Sequence, residues 1–97
     1  MYEHGQGVQL NFEEAAKWYK KSADQGNTSA QYNLGTMYDK GQGVPQNYVI
    51  AYMFYNLAAL NGNEQAKTSK DLISRKMTPL QKKEAVNITT HKIKNNQ

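Results

Sequence analysis

The sequence predicts an all-α fold, in which antiparallel pairs of helices stack into a right-handed α/α superhelix, or solenoid. Three observations lead to this prediction: an internal repeat, helix-ending signals within each repeat, and apolar residues spaced three and four apart. Residues 1–30 and 37–66 align at a shift of 36 with 13 identities, among them Gly5-Gln6-Gly7-Val8 with Gly41-Gln42-Gly43-Val44. A fixed period of roughly 20 to 50 residues is the signature of a solenoid.

The composition suits a thin fold with much surface for its size. The chain has 97 residues, which is enough for one small domain, and 38% of them are hydrophobic. Aromatic residues make up 10%, a share that argues against disorder. The absence of cysteine excludes disulfides and thiolate metal sites. No run of 18 apolar residues occurs, so we expect no membrane span.

The first helix of the complete repeat is predicted from Thr28 to Asp39, with Asn27 as its N-cap. Its apolar face consists of residues three and four apart, namely Ala30, Leu34, Met37 and Tyr38. Gly35 lies in the middle of this helix, where glycine costs about 1 kcal/mol relative to alanine. We therefore expect a neighbouring helix to approach closely at this position.

The second helix of the repeat is predicted from about Tyr48 to Leu60, with Asn47 as its cap. Its apolar face contains Ala51, Phe54, Tyr55, Ala58 and Ala59. The earlier copy spans residues 12–25, and its equivalent face contains Ala15, Trp18, Tyr19 and Ala23. There Asn11 and Glu14 have the spacing of a capping-box-like pair. The aromatic residues Trp18, Tyr19, Tyr38, Phe54 and Tyr55 are accordingly predicted to lie in the core.

A third unit begins at Asn63 and then departs from the pattern. Lys70 and Asp71 stand where the second unit has leucine and glycine. Thr78-Pro79-Leu80-Gln81 then opens a last helix with a cap, a first-turn proline and a capping-box glutamine. A polar, atypical final unit is how a solenoid closes its end. We therefore divide the chain into a partial first repeat at 1–26, a complete repeat at 27–62, and a degenerate third repeat with a C-terminal cap at 63–97.

The repeated motif resembles the Sel-1-like repeat, a relative of the tetratricopeptide repeat. The residues that carry the resemblance are Ala30, Leu34-Gly35, Tyr38, Gly41, Gly43-Val44, Asn47, Ala51, Phe54-Tyr55, Ala58-Ala59 and Gly62. The tail around Met77-Thr78-Pro79 looks like the C-terminal cap of bacterial members. The resemblance implies an α/α superhelix that assembles other proteins. It also implies a bacterial protein, in a family whose members are often exported and linked to host interaction, the envelope or signalling.

The repeat alignment also predicts that the chain begins inside a repeat. Met1 aligns with Met37, which lies near the end of a first helix. We therefore expect exposed apolar surface at the N-terminal end, including Trp18 or Tyr19, through which the chain could self-associate. The N-terminus has no signal peptide as given, and a periplasmic or secreted location requires that the full-length protein extend upstream.

Each residue that could take part in catalysis or ligand binding is better explained by a structural role. The Gly-x-Gly segments follow no strand and recur with the repeat, which indicates turns rather than phosphate loops. His4 and His91 lack ligand-like spacing to carboxylates, and Glu13-Glu14 complements a helix dipole. We predict no catalytic, cofactor-binding or metal-binding residue, and no enzyme. Some cysteine-rich relatives are described as β-lactamase-like, but this chain lacks cysteine and a Ser-x-x-Lys motif, so a hydrolase is the third-ranked interpretation.

The positive charge lies in the C-terminal third. Residues 1–63 hold four lysines and five acidic residues, a net charge of −1, whereas residues 64–97 hold eight basic and three acidic residues, a net charge of +5. Single-strand nucleic-acid readers usually interleave basic and aromatic residues, but the last aromatic residue here is Tyr55. We therefore expect proteins or peptides as partners, acidic ones among them, and not nucleic acid.

The predicted function is that of a protein–protein interaction scaffold with no chemistry of its own. In solenoids of the kind that the resemblance implies, first helices line the concave groove. On the predicted first helix, Tyr32 lies opposite Leu34 with Thr36 beside it. We call the group of Tyr32, Asn33, Thr36 and Lys40 the contact strip, and predict that it binds a partner. The alternative is a structural capping fragment of a larger repeat protein whose activity lies upstream.

Overall fold

A computed structural model describes residues 11–95, and this range contains five helices. They are α1 (Phe12–Asp24), α2 (Thr28–Lys40), α3 (Tyr48–Leu60), α4 (Glu64–Ser74) and α5 (Pro79–Asn95). The predicted all-α fold is confirmed. The first three helices match their predicted spans to within one residue: α1 ends at Asp24, one residue earlier than predicted, and α2 continues to Lys40, one residue further. None of these five helices is both long enough and apolar enough to cross a membrane.

Asparagine side chains begin the first four helices in the same way. Each has extended backbone and accepts a hydrogen bond from the backbone N–H three residues later, over donor–acceptor distances of 2.8 to 3.1 Å. The four caps are Asn11, Asn27, Asn47 and Asn63. This bond satisfies one of the amide groups that a helix start leaves without an intrahelical partner.

The last helix begins with a reciprocal capping box, as predicted. The Thr78 hydroxyl accepts from the Gln81 backbone N–H at 3.1 Å, and the Gln81 side chain accepts from the Thr78 N–H at 2.9 Å. Pro79 occupies the first helical position, where its missing N–H removes no helical hydrogen bond.

Gly35 allows α2 and α3 to approach closely, which confirms the expectation for this position. A Cβ atom at residue 35 would lie 2.6 Å from Cδ1 and 2.8 Å from Cε1 of the Tyr55 ring. Tyr55 is one of the most deeply buried side chains of the described range. The phenol ring therefore takes the space that a side chain on α2 would fill.

Gly43 serves a different purpose, in the turn between α2 and α3. Its φ of +80° lies in the left-handed region that favours glycine, and a Cβ atom there would overlap the backbone carbonyl of Phe12. The predicted Gly-x-Gly turn is confirmed, and the turn packs against the start of α1.

The core is centred on α3, which packs against α2, α4 and α5. Its side toward α2 contributes Phe54 and Tyr55, and its side toward α4 contributes Ala59, which clusters with Ala66. By contrast, α1 packs mainly against α2 within the described range. Most of the buried apolar surface therefore lies in the complete repeat and the elements that follow it.

The cap is formed by α5 folding back onto α3 rather than pairing with α4. Ile88 and Ile93 pack against the cluster that contains Phe54 and Leu57. On α4, the positions equivalent to the α2 residues that receive α3 are occupied by polar residues, among them Lys67, Lys70 and Asp71. Such a surface cannot take an apolar partner helix without burying charge. This explains why the third unit is not a regular pair.

The prediction that Trp18 belongs to the core is wrong. Its side chain is 72% exposed, whereas the equivalent Phe54 is 5% exposed and stacks on Tyr38, with ring centroids 6.0 Å apart. The residue that matches Tyr38 one repeat earlier is Tyr2, which lies outside the described residues. The expected exposure of an aromatic residue at this end is confirmed for Trp18, while Tyr19 is half-buried.

Candidate protein-interaction face

The outward surface of α2 follows directly from its helical period. The buried residues Ala30, Gln31, Leu34, Gly35 and Met37 face the neighbouring helices. Asn33, Thr36 and Lys40 lie on the opposite side at spacings of three and four, with Asn33 and Thr36 half-buried and Lys40 exposed. The structure therefore brings these three residues of the contact strip together on one accessible surface.

Tyr32, the fourth residue of the contact strip, lies at its edge. Its ring is half-buried against the Tyr55 ring, with centroids 5.8 Å apart and planes tilted by 39°. It also packs on the alanine cluster of α3 and α4, formed by Ala58, Ala59 and Ala66. Tyr32 therefore lies in the seam between α2 and α4, and only part of its side chain is open to a partner.

A hydrogen-bond network holds Thr36 in position. Its hydroxyl donates to the Tyr32 carbonyl oxygen at 3.2 Å. The Tyr55 hydroxyl lies 3.3 Å from Thr36 Oγ1 and 3.1 Å from Asp39 Oδ2, so its single proton can be donated to either. These bonds connect the outward surface of α2 to the buried ring of α3.

The phenol of Tyr55 is a fixed donor in this network rather than an acid or base. Burial raises the pKa of Tyr55 far above its ordinary value, and the nearby Asp39 carboxylate raises it further. A hydrogen bond with Thr36 acts in the opposite direction but does not outweigh burial. Tyr55 is therefore protonated at neutral pH.

The third unit has counterparts of three residues of the contact strip, two on α4 and one in the turn after it. A shift of 36 residues places Ser69, Leu72 and Lys76 at the positions of Asn33, Thr36 and Lys40. Leu72 is 53% exposed. These residues are not part of the predicted contact strip, although the same repeat shift leads to them from its residues. We call the contact strip together with Ser69, Leu72 and Lys76 the two-helix face.

Two lysines of this region lie over tyrosine rings of α3. Lys76 Nζ is 5.9 Å from the centroid of the Tyr48 ring, and Lys70 Nζ is 6.0 Å from that of Tyr52. Lys70 also donates to Asn56 Oδ1 at 3.4 Å. Burial raises the pKa of Tyr52, and Asp71 adds to the effect. These cation–π contacts attach α4 and the turn after it to α3.

The other titratable residues considered in the sequence are dispersed. Glu13 and Glu14 are exposed in the first turn of α1, and His91 is exposed on α5. His4 lies outside the described residues. Within residues 11–95, no group of three or more histidine, aspartate or glutamate side chains is placed to hold a metal ion.

Comparison with known proteins identifies the repeat. The Sel1 repeat model matches residues 1–27 and 28–63. A stretch of 35 residues is 51% identical to a putative Sel1-like repeat-containing protein of Acanthamoeba polyphaga mimivirus, covering 36% of this chain and 7% of the viral protein.

Two solved structures share the fold. A protective antigen present in uropathogenic Escherichia coli strains, which displays an SLR fold, matches with a TM-score of 0.84 and 32% identity. The match covers 93% of this chain and 20% of the antigen. A Sel1 repeat protein from Oxalobacter formigenes matches with a TM-score of 0.65 and 42% identity, over 68% of this chain and 27% of that protein. The chain thus spans about a quarter or less of these relatives. Because the repeat model covers more than half of its residues, the chain belongs to the Sel1 repeat family.

Proposed function

We propose that this chain is a protein–protein interaction scaffold that binds its partner through the contact strip. The observation that carries the proposal is the arrangement of α2, whose outward side presents amide, hydroxyl and ammonium groups on a helix held by α3. Repeats of this family typically act as protein–protein interaction modules.

The packing of two side chains on α2 supports this role. Thr36 is held by hydrogen bonds, and Tyr32 is held by ring packing against Tyr55. Side chains that are already ordered lose less conformational entropy when a partner binds. The exposed ammonium of Lys40 and the half-buried amide of Asn33 then supply directional contacts at the edge of this ordered surface.

Site-specific photo-crosslinking tests the proposal. A photoreactive amino acid replaces Asn33 or Lys40 in the full-length protein, which is expressed in the organism that produces it. Lys83, on the exposed side of α5, is the control position. We expect a discrete protein adduct from positions 33 and 40 and none from position 83.

The purified partner from such an adduct allows a direct affinity measurement. We expect Asn33→Glu to weaken binding by about tenfold or more, because it places an unpaired carboxylate within the strip, while Lys83→Ala leaves the affinity unchanged. Equal adducts from all three positions, or an Asn33→Glu variant with unchanged affinity, would rule out the strip as the binding surface.

A second candidate is a structural role, in which the third unit closes one end of a longer repeat array. The polar residues Lys67, Lys70 and Asp71 on α4 favour this role, because they give a further helix no apolar surface to pack against. Removing residues 64–97 from the full-length protein would uncover Ile50, Met53 and Leu57. We expect this truncation to cause self-association, measured by light scattering, and a monodisperse truncated protein would contradict the capping role.

A further inference from the structure

We infer that the two-helix face binds an acidic protein segment that carries at least one apolar side chain. The inference rests on the scaffold function proposed above and specifies the chemistry of the partner. In this arrangement the segment lies across α2 and α4, its carboxylates near Lys40 and Lys76 and its apolar side chain on Leu72.

The two lysines lie at the same end of the face. Asn61, at the end of α3, donates to Gln31, at the start of α2, so that α2 and α3 are antiparallel. Lys76 lies over Tyr48, at the start of α3, so that α4 is antiparallel to α3 as well. The helices α2 and α4 are therefore parallel. Lys40 is the last residue of α2 and Lys76 lies two residues beyond the end of α4, so both lie at the same end of the face.

Both lysines at this end of the face are exposed. The ion pairs within residues 11–95 join Glu64 to Lys67 and Asp24 to Lys92, and neither includes Lys40 or Lys76. Asp39, which precedes Lys40 in the sequence, accepts a hydrogen bond from Tyr55. Two exposed cations at the same end of the face attract carboxylates and increase the rate at which an acidic segment associates.

Leu72 adds the apolar element. A single exposed leucine is common on protein surfaces and would carry no weight alone. Here it lies one helical turn after Ser69 on α4 and before the turn that holds Lys76, and the half-buried ring of Tyr32 lies in the adjoining seam. An apolar side chain of the partner would be shielded from water by Leu72 while hydroxyl and amide groups beside it pair with peptide groups.

The aromatic residues favour a protein partner over a nucleic acid. Single-stranded nucleic acids bind by stacking bases on open aromatic rings. At this face the ring of Tyr32 packs against Tyr55, and the rings of Tyr48 and Tyr52 lie beneath Lys76 and Lys70. The side chains that would serve as stacking platforms are thus already engaged within the protein.

Fluorescence anisotropy with defined probes tests the inference on the whole chain. The probe is a labelled peptide of Glu-Glu-Leu repeats, compared with Ser-Ser-Leu, Lys-Lys-Leu and Glu-Glu-Ser repeats of the same length and with an oligothymidine. We expect the Glu-Glu-Leu probe to bind about tenfold or more tightly than the Ser-Ser-Leu probe, with affinity that falls as salt is added.

Matched variants locate the binding. The double variant Lys40→Glu/Lys76→Glu is compared with Lys83→Glu/Lys94→Glu, which changes the net charge equally on the exposed surface of α5. We expect the first pair to weaken Glu-Glu-Leu binding about tenfold or more and the second to change it less than about twofold. Leu72→Ser should weaken binding of the Glu-Glu-Leu probe but leave that of the Glu-Glu-Ser probe unchanged. Circular dichroism and urea unfolding confirm that each variant folds.

Three outcomes would overturn the inference. Equal loss of binding in the two double variants would show general charge attraction. Equal or tighter binding of the Ser-Ser-Leu or Lys-Lys-Leu probe would show that acidity is not selected. Tighter binding of oligothymidine that depends on Lys40 and Lys76 would show a nucleic-acid ligand. The proposed scaffold function would survive the second outcome if crosslinking at Asn33 still captured a partner, and it would fail separately if that crosslinking failed.

Discussion

The helices α1 and α3 occupy the same position in successive repeats, yet their surroundings differ. Both have 13 residues and begin at an asparagine cap. Within the described range, α3 packs against three helices and α1 mainly against one. Phe54 is consequently buried and Trp18 is exposed, although they are equivalent positions with aromatic side chains. The repeat determines the helix, and the neighbours determine which of its sides is covered.

The sequence differences between α1 and α3 agree with this difference in coverage. Met53 and Leu57 of α3 are buried, Leu57 in the cluster with the isoleucines of α5, whereas α1 has Lys17 and Lys21 at these positions, both exposed. Lysine suits a surface in water, and leucine suits a surface beneath another helix. Departures from the repeat are thus as informative as its identities, because they mark where the cap packs.

The largest expected difference in stability is between substitutions of Phe54 and of Trp18. We expect Phe54→Ala to lower the free energy of unfolding by about 3 to 5 kcal/mol, because it leaves a cavity in the core. Trp18→Ala should lower it by about 0.5 kcal/mol or less, because the side chain is exposed. Urea unfolding followed by circular dichroism measures both values. A Trp18→Ala cost close to that of Phe54→Ala would show that the two helices are equally covered in solution.

Exchanging the residues that distinguish the two helices tests the position of α5. Leu57→Lys places the α1 residue in α3, and we expect it to destabilise the protein by about 2 to 4 kcal/mol and to release α5, because it buries an unpaired charge. Lys21→Leu should change stability by about 0.5 kcal/mol or less. Hydrogen exchange of the α5 amides measures the release. Full α5 protection in the Leu57→Lys variant would contradict the fold-back onto α3.

Alkaline pH should act on the complete repeat through Tyr55. The pKa of Tyr55 is higher in the folded than in the unfolded protein. The contribution of its protonated phenol to the free energy of unfolding is therefore complete below about pH 10 and is lost as the pH rises above that value. The loss is at most about 1.4 kcal/mol per pH unit for one proton. Tyr55→Phe should remove this part of the slope, measured by urea unfolding at several alkaline pH values. An unchanged slope in the variant would show that Tyr55 does not retain its proton.

The smallest contrast is expected for the caps, which are local interactions. Asn11 accepts from Glu14 N–H at 3.1 Å and Asn47 from Ile50 N–H at 3.0 Å, both at exposed positions. Alanine at either position should cost about 1 kcal/mol, and the two values should differ by less than the aromatic pair does. Aspartate serves as the control because it caps as well as asparagine. A large cost at Asn47 with none at Asn11 would indicate that α1 frays in solution.

The sequence by itself determined the helices, the bounds of the first three and the family. Asparagine caps, the Thr78–Gln81 box and the glycine turns act within a few residues, so their effect can be read without knowing the fold. The 36-residue period predicted the stacking of helix pairs, because similar local units stack in similar ways. The close approach at Gly35 was predictable for the same reason, since an unfavourable glycine in a helix needs a compensating contact.

Only the tertiary structure decided which sides of these helices are covered. The exposure of Trp18, the return of α5 to α3 and the place of Tyr32 in the seam depend on contacts between distant parts of the chain. Helical periodicity gives the direction of a side chain but does not say which helix stands there. The same limit applies to the candidate site, because the proximity of Leu72 and Lys76 to the contact strip requires that α4 lie parallel to α2. Burial is a property of the neighbours, and the neighbours are set by packing.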